Sequence, residues 1–500
     1  MEQPLTPISK PGTRTLTLNP QQQTAKETIL NYLEGDAAFR MWLMKGYAGT
    51  GKTTTMMQII RDYLFDNPDA KIAVSAPTHK AVSVLRKQQS LGERVHYATI
   101  HSLLGLKESI NQYTGKISFV PAFGENGPRL TEFDVLILDE VSMLQTLPEK
   151  VHAQNSDDVD LFELLTGIAA MYHIKIVMMG DPVQIPPVNA PDPTPFLKEG
   201  VAKFNIGVME LTQIMRQSGD SPILDYATEL RRVYKTGNVV PRTILTRDEG
   251  ILVIHNSEEE KIREVLQRLF TSEQFKDDPD YAKVIAWRNV TVDLYNREIR
   301  KMIYGQDVLP MVMPMERMIC DAPVIQVNQA TGREEIVLYT NEEVLVTEST
   351  ISHKLLQFAQ PFMVDSQPEH VRFKYYKTRV EKEVMDNEGN VKTVSLTLDI
   401  MHEDSLELFN SSMKEHVRIT KNTSDSKVRG RLWKQYYDNQ RKFAWMKYNY
   451  AITAHKSQGS TYANVVMLHW DIDRNQKVEE RNRIKYVAAT RPRHNLYIIT

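Results

Sequence analysis

The sequence predicts an α/β protein made of two parallel-sheet blocks, the second interrupted by an all-β insertion. Three observations carry this. Apolar runs of strand length alternate with helical periodicity through residues 18–210, and again through 211–309 and 448–500. Between these, residues 310–412 change to alternating Val, Thr, Tyr and Glu, the pattern of antiparallel strands. A glycine-rich loop joins strand to helix in the first block and is missing from the second.

Composition narrows the class. A chain of 500 residues holds about three domains on the usual length prior. With 41% hydrophobic and 25% charged residues it reads as an ordinary soluble globular protein. No apolar run reaches membrane-spanning length, and no N-terminal signal pattern is present. Cys320 is the only cysteine, which excludes an intrachain disulfide and a cysteine metal cluster and fits a reducing cytoplasm. The net charge of -2 means that any nucleic-acid surface must be local.

Residues 1–17, with Pro4, Pro7, Pro11 and Gly12, read as a flexible arm. Asn19 and Pro20 then open a helix as cap and first position. Gln22 in its first turn is either a solvated helix residue or an adenine reader, because an amide both donates and accepts. Met41–Met44 read as a buried strand. Gly46-Tyr47-Ala48-Gly49-Thr50-Gly51-Lys52-Thr53-Thr54 follow, then a helical pattern through Met56, Met57, Ile59, Ile60 and Leu64. This is the phosphate-binding G-x-x-x-x-G-K-T loop. Gly46, Gly49 and Gly51 let successive N–H groups turn toward an anion, and the helix from Lys52 adds its dipole. Lys52 supplies a cation for the β- and γ-phosphates, and Thr53 a hydroxyl for Mg²⁺.

A second strand, Lys71–Ser75, runs into Pro77-Thr78-His79, and Thr99-Ile100-His101 follow later in the chain; both segments place small hydroxyls and a histidine near a helix start. Such ends suit backbone phosphates of nucleic acid, although each alone is also an ordinary helix cap. Residues 112–120 read as a hairpin turning at Thr114-Gly115, with Phe119 either core or exposed. Phe133–Leu138 is a buried strand running into Asp139 and Glu140, a metal carboxylate and a water-activating carboxylate for triphosphate hydrolysis. Gln184, on the loop after the strand Ile174–Met179, either reaches the γ-phosphate or is a solvated amide. Residues 425–447 interleave Lys427, Arg431, Trp433, Lys434, Tyr437 and Arg441, either the footprint of a single-strand binding surface or a solvated helix whose rings pack on a neighbour.

The order GYAGTGKT, APTHKA, TIHSLL, LILDEVSM, GDPVQIPPV, LTQIMRQ, ITAHKSQGST and YVAATR resembles the superfamily 1 helicases. Within them it resembles the RecD-like, 5′-to-3′ branch, superfamily 1B, and the likeness covers nearly the whole chain. The resemblance implies two RecA-like lobes, the first over 18–104 and 131–210, the second over 211–309 and 448–500. It implies a β-hairpin pin at 105–130 that splits duplex, with Phe119 at its tip, and an SH3-like insertion within 310–447 that braces it. It implies ATP and Mg²⁺ as cofactors. Lys52, Thr53, Asp139, Glu140 and Gln184 would take phosphate, metal and water, with Gln22 on the adenine and Thr50, Thr54 and Gly459 in the same cleft. Arg216 and Arg491 match the family's arginines aimed at the γ-phosphate. DNA contacts would come from Pro77, Thr78, His79, Thr99, His101, Trp287, Asn289, Thr453, His455 and Ser457, with Trp433 or Tyr437 as a further aromatic.

The expected activity is therefore a DNA-stimulated ATPase and 5′-to-3′ DNA helicase. It would be a cytoplasmic monomer (in the host's cytoplasm if phage-encoded) acting on single-stranded DNA and junctions, with a single-strand binding protein or replication proteins as candidate partners. Two alternatives stay open: an RNA or RNA/DNA helicase of the same superfamily, since only contacts at the 2′-hydroxyl separate the two substrates, and a non-motor remodelling subunit.

Overall fold

The computed structural model describes residues 18–35, 38–88, 91, 94–111, 117–122, 127–144, 146, 160–187, 192–215, 221–236, 250–327, 332, 334–359, 370–385 and 391–500. The arm 1–17, the turn expected at Thr114-Gly115, and Arg216 lie outside these residues. The chain divides into two compact units, residues 1–106 with 121–220 and residues 107–120 with 221–500.

The first unit is built on six parallel strands in the order β3-β2-β6-β7-β1-β8. These are β1 (Met41–Gly46), β2 (Ile72–Ala76), β3 (Val95–Thr99), β6 (Val135–Leu138), β7 (Lys175–Gly180) and β8 (Ile206–Leu211). Between β3 and β6 the chain makes an antiparallel pair, β4 (Leu106–Ile110) and β5 (Ile117–Pro121). Strand side chains alternate between two cores, which is why the strands read as continuous apolar runs. Met44, Val74, Ile137, Val177 and Met179 face the helices Pro20–Glu34 and Lys52–Asp66 through Ile29, Leu33, Met57 and Ile60. Leu43, Leu136, Leu138, Ile176 and Met178 face the helix Leu161–Tyr172 through Phe162 and Leu165.

The boundary expected after residue 210 falls ten residues later, after Asp220. The cause is local. The Gln21 amide oxygen accepts from the Thr212 and Gln213 N–H groups at 3.0 and 3.1 Å, and the Met215 N–H donates to the Gly49 carbonyl at 2.8 Å. Residues 107–120, which include most of the β4-β5 pair, belong with the second unit although the chain on either side belongs to the first.

The second unit holds a parallel sheet in the order β18-β10-β19-β20-β9. Its strands are β9 (Ile251–Ile254), β10 (Ala282–Ala286), β18 (Ala451–Thr453), β19 (Tyr462–Leu468) and β20 (Pro492–Ile499). The helices Glu259–Phe270 and Asn289–Tyr304 cover it through Val265, Leu266, Leu269, Val292 and Ile299. The insertion is an antiparallel sheet ordered β16-β15-β14-β11-β17, with a separate β12-β13 pair. Here β11 is Arg317–Cys320, β12 Val324–Val327, β13 Glu334–Leu338, β14 Glu343–Gln357, β15 His370–Met385, β16 Val391–Met401 and β17 Met446–Tyr448. Sheet and insertion are tied by a buried pair: the Arg300 guanidinium donates to both Glu316 oxygens at 2.6 and 2.9 Å, and the Tyr450 hydroxyl donates to the same carboxylate.

The alternating pattern expected to 412 stops at Met401. Glu403–Asn422 is a helix, capped by the His402 ring, with Phe409, Met413, His416 and Thr420 buried at helical spacing. A second helix, Ser426–Arg441, packs against it.

Candidate functional site

The neighbouring strands β6, β7 and β1 bring the carboxylates, the Gln184 loop and the phosphate loop to one edge, the carboxyl end of a parallel sheet. Gly49 and Gly51 have φ of 83° and 78°, where a side chain is strained, so the loop needs glycine there. A Cβ on Gly51 would also lie 2.5 Å from the Gln22 amide nitrogen. The Lys52 ammonium curls over the loop and donates to the Gly46 carbonyl at 2.6 Å and the Tyr47 carbonyl at 3.1 Å.

Asp139 is buried beside this loop. Burial pushes its carboxyl above the usual range, against the Glu140 N–H, the Lys52 charge and a hydrogen bond from the Thr53 hydroxyl. A hydroxyl and a buried carboxylate in contact, with a lysine adjacent, are hard oxygen donors of the kind that hold Mg²⁺ with triphosphate oxygens. Glu140 takes a left-handed conformation (φ 51°), strain of a kind that gathers at functional sites. Gln184 is 6% exposed, and its amide oxygen accepts from the Ser142 hydroxyl at 3.1 Å. It is not the solvated amide that the sequence left open.

Gln22 is likewise not solvated. It is 4% exposed. Its amide oxygen accepts from the Asn19 N–H at 3.0 Å, completing a capping box, and its amide nitrogen donates to the Thr50 carbonyl at 3.1 Å. In this arrangement the amide links the first helix to the phosphate loop. Met215, the residue before Arg216, is held to the same loop through Gly49.

Each unit also carries a matched pair of strand ends. In the first, β2 and β3 are neighbours, with Ala76 opposite Thr99. The Thr78 hydroxyl caps the helix His79–Gln88 by accepting from Ala81 N–H at 3.2 Å, and Pro77 and His79 flank it, half-buried. Thr99 caps the short helix Ile100–Leu103 through Ser102 N–H at 3.3 Å. In the second, β10 and β18 are neighbours, with Ala286 opposite Thr453. Thr453 caps Ala454–Ser457 through Lys456 N–H, and Asn289 opens the helix after β10. His101 and His455 occupy the same place after their threonines, and burial lowers the pKa of both. Ser457 is fully buried, its hydroxyl donating to the Ala454 carbonyl at 2.8 Å. Asn289 is exposed and Trp287 half-buried.

Asp471 lies in none of the sequence motifs. It is fully buried, accepts from the Trp287 and Arg288 N–H groups at 2.9 and 3.0 Å, and accepts from Arg288 Nε and the Thr291 hydroxyl at 2.6 and 2.7 Å. It thereby fixes the turn bearing Trp287 and Asn289, and these donors hold its carboxyl below the usual range despite burial. An acid three residues past the end of the apolar strand β19 was the available signal.

Arg491 is 5% exposed, and its guanidinium donates to the Val487 and Ser460 carbonyls and the Thr490 hydroxyl, beside Gly459 at φ 72°. Phe119 is 43% exposed on β5. Trp433 corrects the expectation of a DNA-facing ring: at 4% exposure it is packed edge-on against Tyr436, leaving no free face for a base. Tyr437 is half-buried, edge-to-face with Tyr436 at 5.0 Å.

Family comparison agrees with these motifs. The AAA domain model matches residues 17–240, and the UvrD-like helicase C-terminal domain model matches residues 448–499. An uncharacterised protein, R530, of Acanthamoeba polyphaga mimivirus is 23% identical over 518 residues, covering 96% of this chain and 99% of its own. The ATP-dependent DNA helicase dda of Enterobacteria phage T4 is 25% identical over 460 residues, covering 91% of this chain and 93% of its own. Among solved structures, the Pif1 helicase of Candida albicans aligns over 97% of this chain and 95% of its own, at 16% identity and a TM-score of 0.48. Along nearly its whole length the chain is similar to the Dda helicase, and over 29% of it to the RecBCD enzyme subunit RecD of Buchnera aphidicola.

Proposed function

We propose that this protein is an ATP-driven DNA helicase that moves 5′ to 3′ on single-stranded DNA and opens duplex against its β4-β5 hairpin. One observation carries the reading. Both units present two adjacent strand ends with threonine-capped or amide-bearing helix starts, and one unit also joins a phosphate loop to Asp139, Glu140 and Gln184. Helix starts of this kind bind phosphate through N–H groups without reading bases. A pair in each unit suits a strand gripped twice.

In this reading Gly46–Thr54 would cradle the triphosphate of ATP, with Lys52 exchanging the Gly46 and Tyr47 carbonyls for phosphate oxygens. Bound Mg²⁺ would neutralise charge on the transferring phosphoryl, held by Thr53 and Asp139. Glu140 would take the proton of the attacking water, and Gln184, steadied by Ser142, would sense the γ-phosphate. Gln22 would position the loop through Thr50 and face the base with its remaining capacity. Arg216 and Arg491 would supply charge to the γ-phosphate, and Arg491 would have to leave its Val487 and Ser460 partners to do so. The direction of movement, and Phe119 as pin tip, rest on the family likeness. The grouping of residues 107–120 with the unit that holds the β insertion supports a braced hairpin.

The test is ATP hydrolysis with matched DNA and RNA oligomers. The reading predicts strong stimulation by single-stranded DNA. Stimulation by RNA alone, or by neither, would contradict it.

A further inference from the structure

The helix Ser426–Arg441 carries a row of cations that the proposed single-strand path does not use. At 3.6 residues per turn, Lys427, Arg431, Lys434, Asp438 and Arg441 fall on one face, within an arc of about 80°. All are exposed, as is Lys442 at the helix end. From Lys427 to Arg441 the row spans about 21 Å at 1.5 Å per residue. Asp438 is its only acid. Among the described residues, Lys427, Arg431 and Lys434 make no ion pair, whereas many exposed cations here are held by a carboxylate three residues away, as Arg418 is by Glu415 and Lys276 by Glu273. The adjoining helix Glu403–Asn422 is of mixed sign outside, with Glu403, Asp404, Glu407 and Glu415 exposed, so the unbalanced charge is confined to the second helix.

Trp433 and Tyr436 point the other way, and half-buried Tyr437 sits at the edge of the row against Tyr436. Trp433 is buried, Tyr436 lies between Trp433, Tyr437 and His416, and the His416 ring bridges the Ala359 N–H and the Leu432 carbonyl. They fasten the helix to the insertion. A single-strand surface needs aromatic faces on which bases stack. This face offers cations without rings, which suits a rigid phosphate backbone read for charge alone. A stripe of about 21 Å covers roughly six phosphates of one strand at 3.4 Å each along a duplex.

We propose that the Lys427–Arg431–Lys434 face is a second nucleic-acid site, which binds the backbone of duplex DNA. This rests on the helicase reading, in which duplex lies next to the motor, and it reassigns residues 425–447 from single strand to duplex.

The experiment compares the full chain with a Lys427→Gln/Arg431→Gln/Lys434→Gln variant, and with a charge-matched control, Lys261→Gln/Arg263→Gln/Lys276→Gln, on the second unit's outer helices. Circular dichroism and thermal melting establish that all three fold alike. Blunt duplex and single-stranded oligomers are then titrated across salt. Loss of three phosphate contacts at ~0.9 each lowers the salt slope for duplex by about 2.7. The deficit in duplex affinity at about 50 mM salt should therefore exceed that at about 200 mM by roughly 40-fold. Single-strand affinity should move less than about two-fold, and the control should keep the wild-type slope. An unchanged duplex slope, an equal loss on single strands, or the same loss in the control overturns the proposal. Stimulation of the wild-type ATPase by DNA is scored separately. If it is absent, the helicase reading fails; if it is present while the duplex slope is unmoved, only this site fails.

Discussion

Replacing Lys52 with methionine keeps the aliphatic stem over Gly46 and removes only the ammonium. Two hydrogen bonds are lost, to the Gly46 and Tyr47 carbonyls at 2.6 and 3.1 Å. Both carbonyls lie on a loop that water reaches, so folding loses about 1–3 kcal/mol at most. The effect on chemistry is larger. Withdrawing one preorganised donor from developing charge costs about 2.7–4 kcal/mol, or 10²–10³ in kcat. A second effect adds to this, because the Lys52 charge restrains the carboxyl of buried Asp139, which would rise further without it and hold a divalent cation less well. The assay is steady-state ATP hydrolysis with saturating single-stranded DNA, alongside DNA titration and thermal melting. DNA affinity should stay within about two-fold, because the capped strand ends at Thr78, Thr99 and Thr453 are untouched. A folded Lys52→Met protein hydrolysing ATP within about ten-fold of wild type would refute the assignment of the loop.

Three other outcomes are expected. Asp471→Asn should cost about 2–4 kcal/mol, because it weakens acceptors to Trp287, Arg288 and Thr291 in a buried site. It should weaken DNA binding with little change in ATPase measured without DNA, and a thermal melt equal to wild type would contradict that positioning role. Burial lowers the His416 pKa, so the unfolded chain takes up a proton first as pH falls below about 6.5, and native stability declines from there toward the folded value. The loss of Tm between about pH 7.5 and about pH 5 should accordingly be smaller in His416→Gln than in wild type, and an equal loss would remove His416 as the cause. Phe119→Ala should hydrolyse ATP normally on single strands yet unwind several-fold more slowly; undiminished unwinding would dissociate the exposed ring from strand separation.

The phosphate loop, the Asp139–Glu140 pair and the capped strand ends were legible because each is local: strand, turn and helix start follow one another within about ten residues, and the chemistry sits in the turn. What failed to read was set by contacts across the chain. Trp433 and Tyr437 have the composition of a stacking surface, but which helix face meets the insertion decides whether a ring is core or contact, and the sequence of one helix does not carry that. Gln22 is spoken for by Asn19 and by Thr50, the latter 28 residues away. Asp471 acts on a turn more than 180 residues earlier. The helix Glu403–Asn422 was hidden because it begins directly after the alternating strand β16, and its helical spacing shows only once that strand has an end.

In the proposed function, ATP hydrolysis drives this chain along single-stranded DNA in one direction and parts duplex ahead of it. The decisive assay is unwinding of one duplex sequence carrying either a 5′ or a 3′ single-stranded tail, with and without ATP. Strand separation is expected on the 5′-tailed duplex only, and only with hydrolysable ATP. Separation on the 3′-tailed duplex alone would reverse the direction, and no ATP-dependent separation on either, from a chain that hydrolyses ATP, would rule out a helicase.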